Sequence, residues 1–391
     1  MNKNWELKTL DDVCENIFAG GDVPKNNFSK FETDIFNIPI FANGVKDKGL
    51  YGFTDIKKVI LPSITVSARG TIGYSEIRNE PFFPIVRLIV LIPDNDKINL
   101  EFLKYIIESM NFKKSGTSIP QLTIPMIKKY KALIPNKLTE QVEIVKIFDK
   151  TFESIEKVKI HIEKNIQNTK ELFASRLNEI FSQKGDGWAE KILKELTTKI
   201  GSGSTPRGGQ SSYKESGISL IRSMNVHDNG FKKDKLAFID DEQAKKLNNV
   251  TIQEDDILLN ITGASVTRCC IAPTDYLPAR VNQHVSIIRI KDNMLLPKFL
   301  HYSLTSKKNK DKLLGIGEQG ATRQAITKVQ IENFLIKYPS DTKIQLDLIT
   351  ELENIKEQTK QLEKHYQHKL DNLEELKKSI LEKAFSGELL K

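Results

Sequence analysis

The chain has 391 residues, 39% hydrophobic and 8% aromatic, with 59 Lys and Arg against 51 Asp and Glu and a net charge of +8. That length predicts two or more domains, and that composition supports packed cores. The first residues (MNKNW) lack the apolar stretch of a secretory signal, and the longest apolar run, 85–93, is broken by Arg87. Three cysteines, Cys14 and the neighbours Cys269 and Cys270, make no disulfide framework. A cytoplasmic protein with reduced thiols and no membrane span is therefore expected.

Residues 1–139 read as a mixed module rich in short strands. Residues 5–10 (WELKTL) open it, and polar loops around Gly20, Gly21 and Pro24 follow. The β-branched runs 59–66 and 86–92 have strand length, and 100–110 has helical spacing. A loop at 116–120 precedes Pro135. Residues 140–183 then contain no Pro or Gly, and Val145, Phe148, Phe152, Ile155, Ile162 and Ile166 recur at threes, fours and sevens. That is the spacing of a coiled-coil helix, roughly 60 Å long at 1.5 Å per residue.

After a short linker at 183–187 the pattern starts again. Residues 188–193 (WAEKIL) echo 5–10, and 203–207 (GSTPR) echo 20–25. Residues 255–263 echo 59–70, 299–302 (FLHY) echo 102–105 (FLKY), and 320–327 echo 116–123. The offset between copies grows from 183 to 204 through the module, then stays at 204 over the second helical stretch. There Gln141 meets Gln345, Glu153 meets Glu357, His161 meets His365, and Phe181 meets Phe385. Loops tolerate insertions, whereas one residue inserted in a helix rotates its apolar seam by about 100°. The boundaries are thus a module over 1–139, a central helix over 140–183, a second module over 184–342 and a distal helix over 343–391.

The expected fold class is α+β: two mixed α/β modules separated by two long antiparallel helices, with an internal pseudo-two-fold repeat. In the expected seam, Val145, Phe148, Phe152, Ile155 and Ile162 lie against Leu352, Ile355, Leu362, Tyr366 and Leu370. The alternative is that each helix packs on its own module. Each helical stretch carries a net charge of −1, whereas 1–139 carries +4 and 184–342 carries +6. The basic excess in the modules is the footprint of a polyanion partner.

In this order of parts the chain resembles the specificity subunits of Type I restriction–modification enzymes. The likeness rests on the module–helix–module–helix order and on local pieces. These are 203–206 (GSTP), 257–263, Asn282 with Gln283, 299–302, 320–322, Pro135 with Gln141, and the ending 381–389 (LEKAFSGEL). The first copy departs with GDVP at 21–24, and Glu140 is matched by Ile344. The resemblance implies two target recognition domains, each reading one half of an asymmetric, bipartite double-stranded DNA sequence. The helices would set the gap and help dock two methyltransferase subunits. Adenine methylation with S-adenosylmethionine, and cleavage with ATP and magnesium where a restriction subunit exists, would belong to partner chains. This chain would be a non-catalytic subunit with no cofactor of its own.

The residues agree that chemistry is missing. No Asn/Asp-Pro-Pro-aromatic motif, P-loop or Gly-x-Gly-x-x-Gly occurs, and His365 with His368 finds no third ligand at metal-binding spacing. Phosphate contacts call for Lys, Arg, Ser and Thr, and base readout for Arg, Asn, Gln and Lys on loops. In the first module the candidates are Lys25, Asn43, Lys46, Lys48, Tyr51, Ser67, Arg69 and Thr71. In the second they are Thr205, Arg207, Arg222, Asn225, His227, Thr262, Ser265, Arg268, Gln283, Arg323 and Gln324. Phe173, Leu177, Phe181, Leu381 and Phe385 lie outside the seam, as candidates for a methyltransferase interface or for packing on the modules. The rival readings are a stand-alone bivalent DNA-binding regulator, a DNA-modifying enzyme with an unrecognised site, and a coiled-coil scaffold.

Overall fold

The computed structural model describes residues 5–110, 112, 120–182, 187–291, 294–318 and 324–386. Two 45-residue helices, Leu138–Ser182 and Thr342–Ser386, follow the two modules. The chain divides into two compact units. One combines Met1–Glu163 with Tyr366–Lys391, and the other is Lys164–His365. Each unit therefore holds one module, the first part of the helix that follows it and the last part of the other helix.

In the first unit a four-stranded antiparallel sheet runs in the order Cys14–Ala19, Ile89–Pro93, Ser63–Val66, Ser75–Arg78. All four residues of Ser63–Val66 are buried, as expected of an inner strand covered on both faces. A second sheet, Leu50–Thr54, Ile38–Phe41 and Phe83–Pro84, mixes antiparallel and parallel pairing. The strand Trp5–Thr9 pairs with Lys131–Pro135 and so closes the module on the residues that lead into its long helix. Helix Leu100–Ser109 is capped by the Asn99 side chain and buries Phe102, Leu103, Ile106 and Ile107.

The second unit repeats this topology. Its four-stranded sheet is Thr197–Ser202, Val285–Ile290, Ile257–Asn260, Cys269–Ile271, and its three-stranded sheet is Ala237–Ile239, Ile218–Ile221, Ala279–Val281. The closing pair is Trp188–Ile192 with Leu335–Pro339. Additions fall between these elements: the hairpin Val226–His227 and Gly230–Phe231, and the helix Lys307–Glu318. Burial holds the His301 imidazole down at about 4, so it is neutral near pH 7, with its Nε2 3.2 Å from the Cys269 carbonyl.

The expected seam is corrected by these cores. Val145 and Phe148 are buried with Leu381, Ala384 and Phe385 in the first unit, not against Leu352. Ile349 and Leu352 are buried with Leu177, Ile180 and Phe181 in the second. Leu362, placed in the seam by its spacing, is 41% exposed. The reason is directional. Phe148 and Leu352 are equivalent by repeat, and in an antiparallel arrangement equivalent residues lie at opposite ends. The start of one helix instead meets the end of the other, as the Phe148–Phe385 ring contact at 5.9 Å and the Lys159–Glu374 ion pair at 3.0 Å record in the first unit. In the second, Arg176 forks onto Glu351 at 2.6 and 3.1 Å. Leu177, Phe181, Leu381 and Phe385 are thus core residues, with Phe173 packed at the core edge.

Gly203 shows how closely the second module packs. A Cβ there would lie 1.7 Å from the Val281 carbonyl oxygen, whereas one at Gly201 meets nothing within 4 Å. Gly203→Ala is expected to cost about 3 kcal/mol or more, because the obstacle is backbone. Gly201→Ala should stay within about 0.5 kcal/mol. Thermal melts read at Trp188 check the pair; equal effects would refute the close approach.

Candidate nucleic-acid interface

In the first module four loops meet at the ends of the four-stranded sheet. Asn43 joins three of them. Its Oδ1 accepts the Ala68 N–H at 2.7 Å, and its Nδ2 donates to the Val86 carbonyl at 2.7 Å. The Gly44 N–H donates to Ser67 Oγ at 3.2 Å, and the Leu122 N–H to the Ala68 carbonyl at 2.9 Å. Arg69 donates from Nε and Nη2 to Gln121 Oε1 at 3.2 and 3.0 Å. Arg69, Arg87, Gln121 and Thr123 line one cleft of about 140 Å³.

The turn that carries Arg87 differs from the expected strand over 86–92. The strand begins at Ile89, and Val86 and Arg87 both adopt positive φ, +52° and +59°. A β-branched residue in that region is a genuine outlier. Hydrogen bonds hold the turn: Val86 N–H to the Gly21 carbonyl at 2.8 Å, Arg87 N–H to the Gly20 carbonyl at 3.1 Å, and Ile85 N–H to the Phe41 carbonyl at 2.9 Å.

The second module builds the same junction from other side chains. Asn282 N–H donates to the Ile221 carbonyl at 3.1 Å, as Ile85 does to Phe41. Ile326 N–H donates to the Ile261 carbonyl at 2.8 Å, as Leu122 does to Ala68. Across this junction Thr205 Oγ1 donates to Gln283 Oε1, Gln283 Nε2 lies 3.1 Å from His284 Nε2, and His284 Nδ1 lies 2.5 Å from Thr262 Oγ1. Gln324 joins the same place, its carbonyl accepting the Gly263 N–H at 3.0 Å.

Asn43, Ser67 and Arg69 therefore converge in one module, and Thr205, Thr262, Gln283 and Gln324 in the other. Ser67 and Asn225 lie inside, at 1% and 0% exposure. The Asn225 side chain is committed to the Lys232 and Asp234 carbonyls and the Arg222 N–H. Lys25, Lys46 and Thr71 are exposed on loops. Lys48 is exposed 3.9 Å from Glu76, and Tyr51 leans on Phe28 with ring centres 5.6 Å apart. Arg207 is exposed beside a surface cavity lined by Thr205, Gln243 and Lys246. Arg222 donates to the Lys235 carbonyl and lies over the Tyr213 ring. A His227 ring nitrogen meets the Met224 carbonyl, Ser265 accepts from Asn260, and Arg268 is half-buried. Arg323 lies outside the described residues.

Sequence reasoning missed Arg87, Gln121 and His284. The one usable signal was the lone charge of Arg87 in an apolar run; Gln121 and His284 gave none.

Among the described residues no group of three His, Cys, Asp or Glu side chains is placed to hold a metal ion. Burial pushes the Cys14 and Cys270 thiols up to about 12, far from the reactive thiolate. No helix among the described residues is long and apolar enough to cross a membrane. The junction gathers hydrogen-bond donors and acceptors in both modules, and in the first it adds the positive charge of Arg69 and Arg87.

The chain therefore builds one module twice, with different side chains at the equivalent junction. The chain belongs to the Type I restriction modification DNA specificity domain family, whose model matches residues 2–168 and 185–375. It is 33% identical over 151 residues to a putative type I specificity subunit of Mycoplasma pneumoniae, a match covering 38% of this chain and 44% of that one. It is 27% identical over 173 residues to the Type I restriction enzyme EcoBI specificity subunit of Escherichia coli, covering 44% and 36%. The chain thus spans less than half the length of either relative. The fold is that of the HsdS subunit from Thermoanaerobacter tengcongensis, with a TM-score of 0.59 at 18% identity over 99% of this chain and 98% of that one. A chain from a type I R-M system solved for its complex assembly and conformational transition superposes with a TM-score of 0.72, at 18% identity and 99% coverage of both.

Proposed function

We propose that this chain is the DNA-specificity subunit of a Type I restriction–modification complex. Each module reads one half of an asymmetric bipartite target, and the long helices set the unread gap and dock two methyltransferase subunits. Adenine methylation from S-adenosylmethionine belongs to those subunits, and ATP- and magnesium-dependent cleavage to a restriction subunit where one is present. The complex works in the cytoplasm. One observation carries this reading: the same loop junction occurs in both modules, with Asn43, Arg69 and Gln121 in one and Thr205, Thr262 and His284 in the other. A common scaffold with different donors and acceptors is what two different half-sites require.

The test is methylome mapping of a host that expresses the chain with its cognate methyltransferase subunit. Adenine methylation confined to a single motif of two unlike halves, separated by a fixed gap, is the expected result. Binding of that motif by the purified complex should weaken roughly a thousandfold between 50 and 200 mM salt for six or more phosphate contacts. Methylation without a bipartite motif, or salt-independent binding, would overturn the reading.

A further inference from the structure

The turn over residues 85–88 lies in the first module's junction, whose neighbouring loop also carries a left-handed pair at Asp47 and Lys48. The turn's backbone is fixed by hydrogen bonds to Gly20, Gly21 and Phe41, and the Asn43 side chain holds the Val86 carbonyl. Two consecutive side-chain-bearing residues nevertheless occupy the left-handed region. Such an arrangement costs folding energy and persists only where its surroundings impose it, and these costs concentrate at ligand-contacting sites. What the turn presents is Arg87. Its side chain is exposed and makes no hydrogen bond or ion pair with any described residue. The neighbouring Arg69 has its fork occupied by Gln121, so Arg87 is the uncommitted guanidinium of the cleft they share.

Building on the function proposed above, we propose that Arg87 reads a guanine in the half-site bound by the first module. A planar fork of N–H donors matches the O6 and N7 acceptors that guanine shows in the major groove, a pattern no other base offers. A rigid turn suits this task better than a mobile loop, because base discrimination depends on placing both donors at once. A phosphate contact would need only charge, which the exposed Lys25 and Lys46 of the same module supply on ordinary backbone. At the equivalent turn of the second module, Gln283 and His284 stand in place of Val86 and Arg87, with His284 tied to Thr262. The two turns thus present different chemistry from one position, as two dissimilar half-sites demand.

The test uses the complete complex with its methyltransferase subunits. The wild-type motif is mapped first, then that of Arg87→Asn, since Asn tolerates the left-handed backbone. One guanine position in one half-site should lose its preference by about 5- to 150-fold, the value of a bidentate pair. The other half-site and the gap should stay unchanged. Arg87→Lys should weaken the same preference without moving it. A loss of affinity equal on all sequences, with the salt slope reduced by about one, would make Arg87 a phosphate contact and overturn the inference. So would an unchanged motif with a normal melt at Trp5. Failure of the wild-type complex to select any motif would instead defeat the function proposed above.

Discussion

Gln141→Leu is expected to destabilise the first unit by about 3–5 kcal/mol, and Gln345→Leu the second by a similar amount. Each glutamine is fully buried in the first turn of its long helix. Gln141 Oε1 accepts the Asn99 N–H at 2.8 Å, and its Nε2 donates to the carbonyls of Lys97 and Pro135 at 3.0 and 2.9 Å. Gln345 repeats the set with the Leu296 N–H at 2.9 Å and the carbonyls of Met294 and Pro339, both at 2.8 Å. One side chain thus ties the start of the long helix to the closing strand and to the loop before the module's main helix. Leucine fits the volume but leaves three backbone groups without a partner, each worth about 1–3 kcal/mol when buried. The Lys97 carbonyl sits beside an exposed side chain, so water there softens the total. The chain's two tryptophans make the measurement clean, because Trp5 belongs to the first unit and Trp188 to the second. Chemical denaturation of single-tryptophan variants should shift only the transition of the mutated unit. Shifts below about 1 kcal/mol would show that the glutamine bonds do not hold the helix in place.

The same glutamines show what the sequence discloses and what it withholds. Their match at an offset of 204 is plain, as is the helix that contains them. Their purpose is not, because the bonded groups are backbone atoms, which leave no mark on residue identity. The helices, the inner strands and the repeat were legible for a related reason: burial against a regular element imposes a period on apolar residues. Side-chain pairings across elements impose none. The pattern selected Phe148 for burial and left Phe385 open, yet gave no sign that the two rings meet. The candidate loops were legible by residue type alone. Asn43, Arg69 and Gln283 follow from the loops and polar types that favour base contacts. Arg87 was absorbed into an apolar run because the positive φ that lifts it out falls on residues that seldom adopt it.

Removing Tyr366–Lys391 is expected to unfold or severely weaken the module at the other end of the sequence. Leu381, Ala384 and Phe385 are buried in the first unit's core, Phe385 lying edge-on to Phe102 at 5.4 Å and to Phe148 at 5.9 Å. Deleting the segment uncovers Phe102 and Phe148 and removes the carboxylate that pairs with Lys159. The exposed ion pair is worth little, whereas burying Leu381 and Phe385 contributes about 1.5–3 kcal/mol each, and uncovering their neighbours adds to the loss. Together these approach the whole stability of a typical domain, about 5–15 kcal/mol. The transition seen at Trp5 should therefore collapse, while Trp188 should report a smaller change, since the second unit keeps Thr342–His365. Phe385→Ala is the milder form, expected to cost about 3–5 kcal/mol at Trp5 and nothing measurable at Trp188. A linear reading of the chain predicts the opposite order, with a C-terminal deletion harming the module nearer to it in sequence. Equal melting at Trp5 with and without the segment would mean that the first module folds on its own residues alone. The far end of the second helix would then be an attachment rather than part of its core.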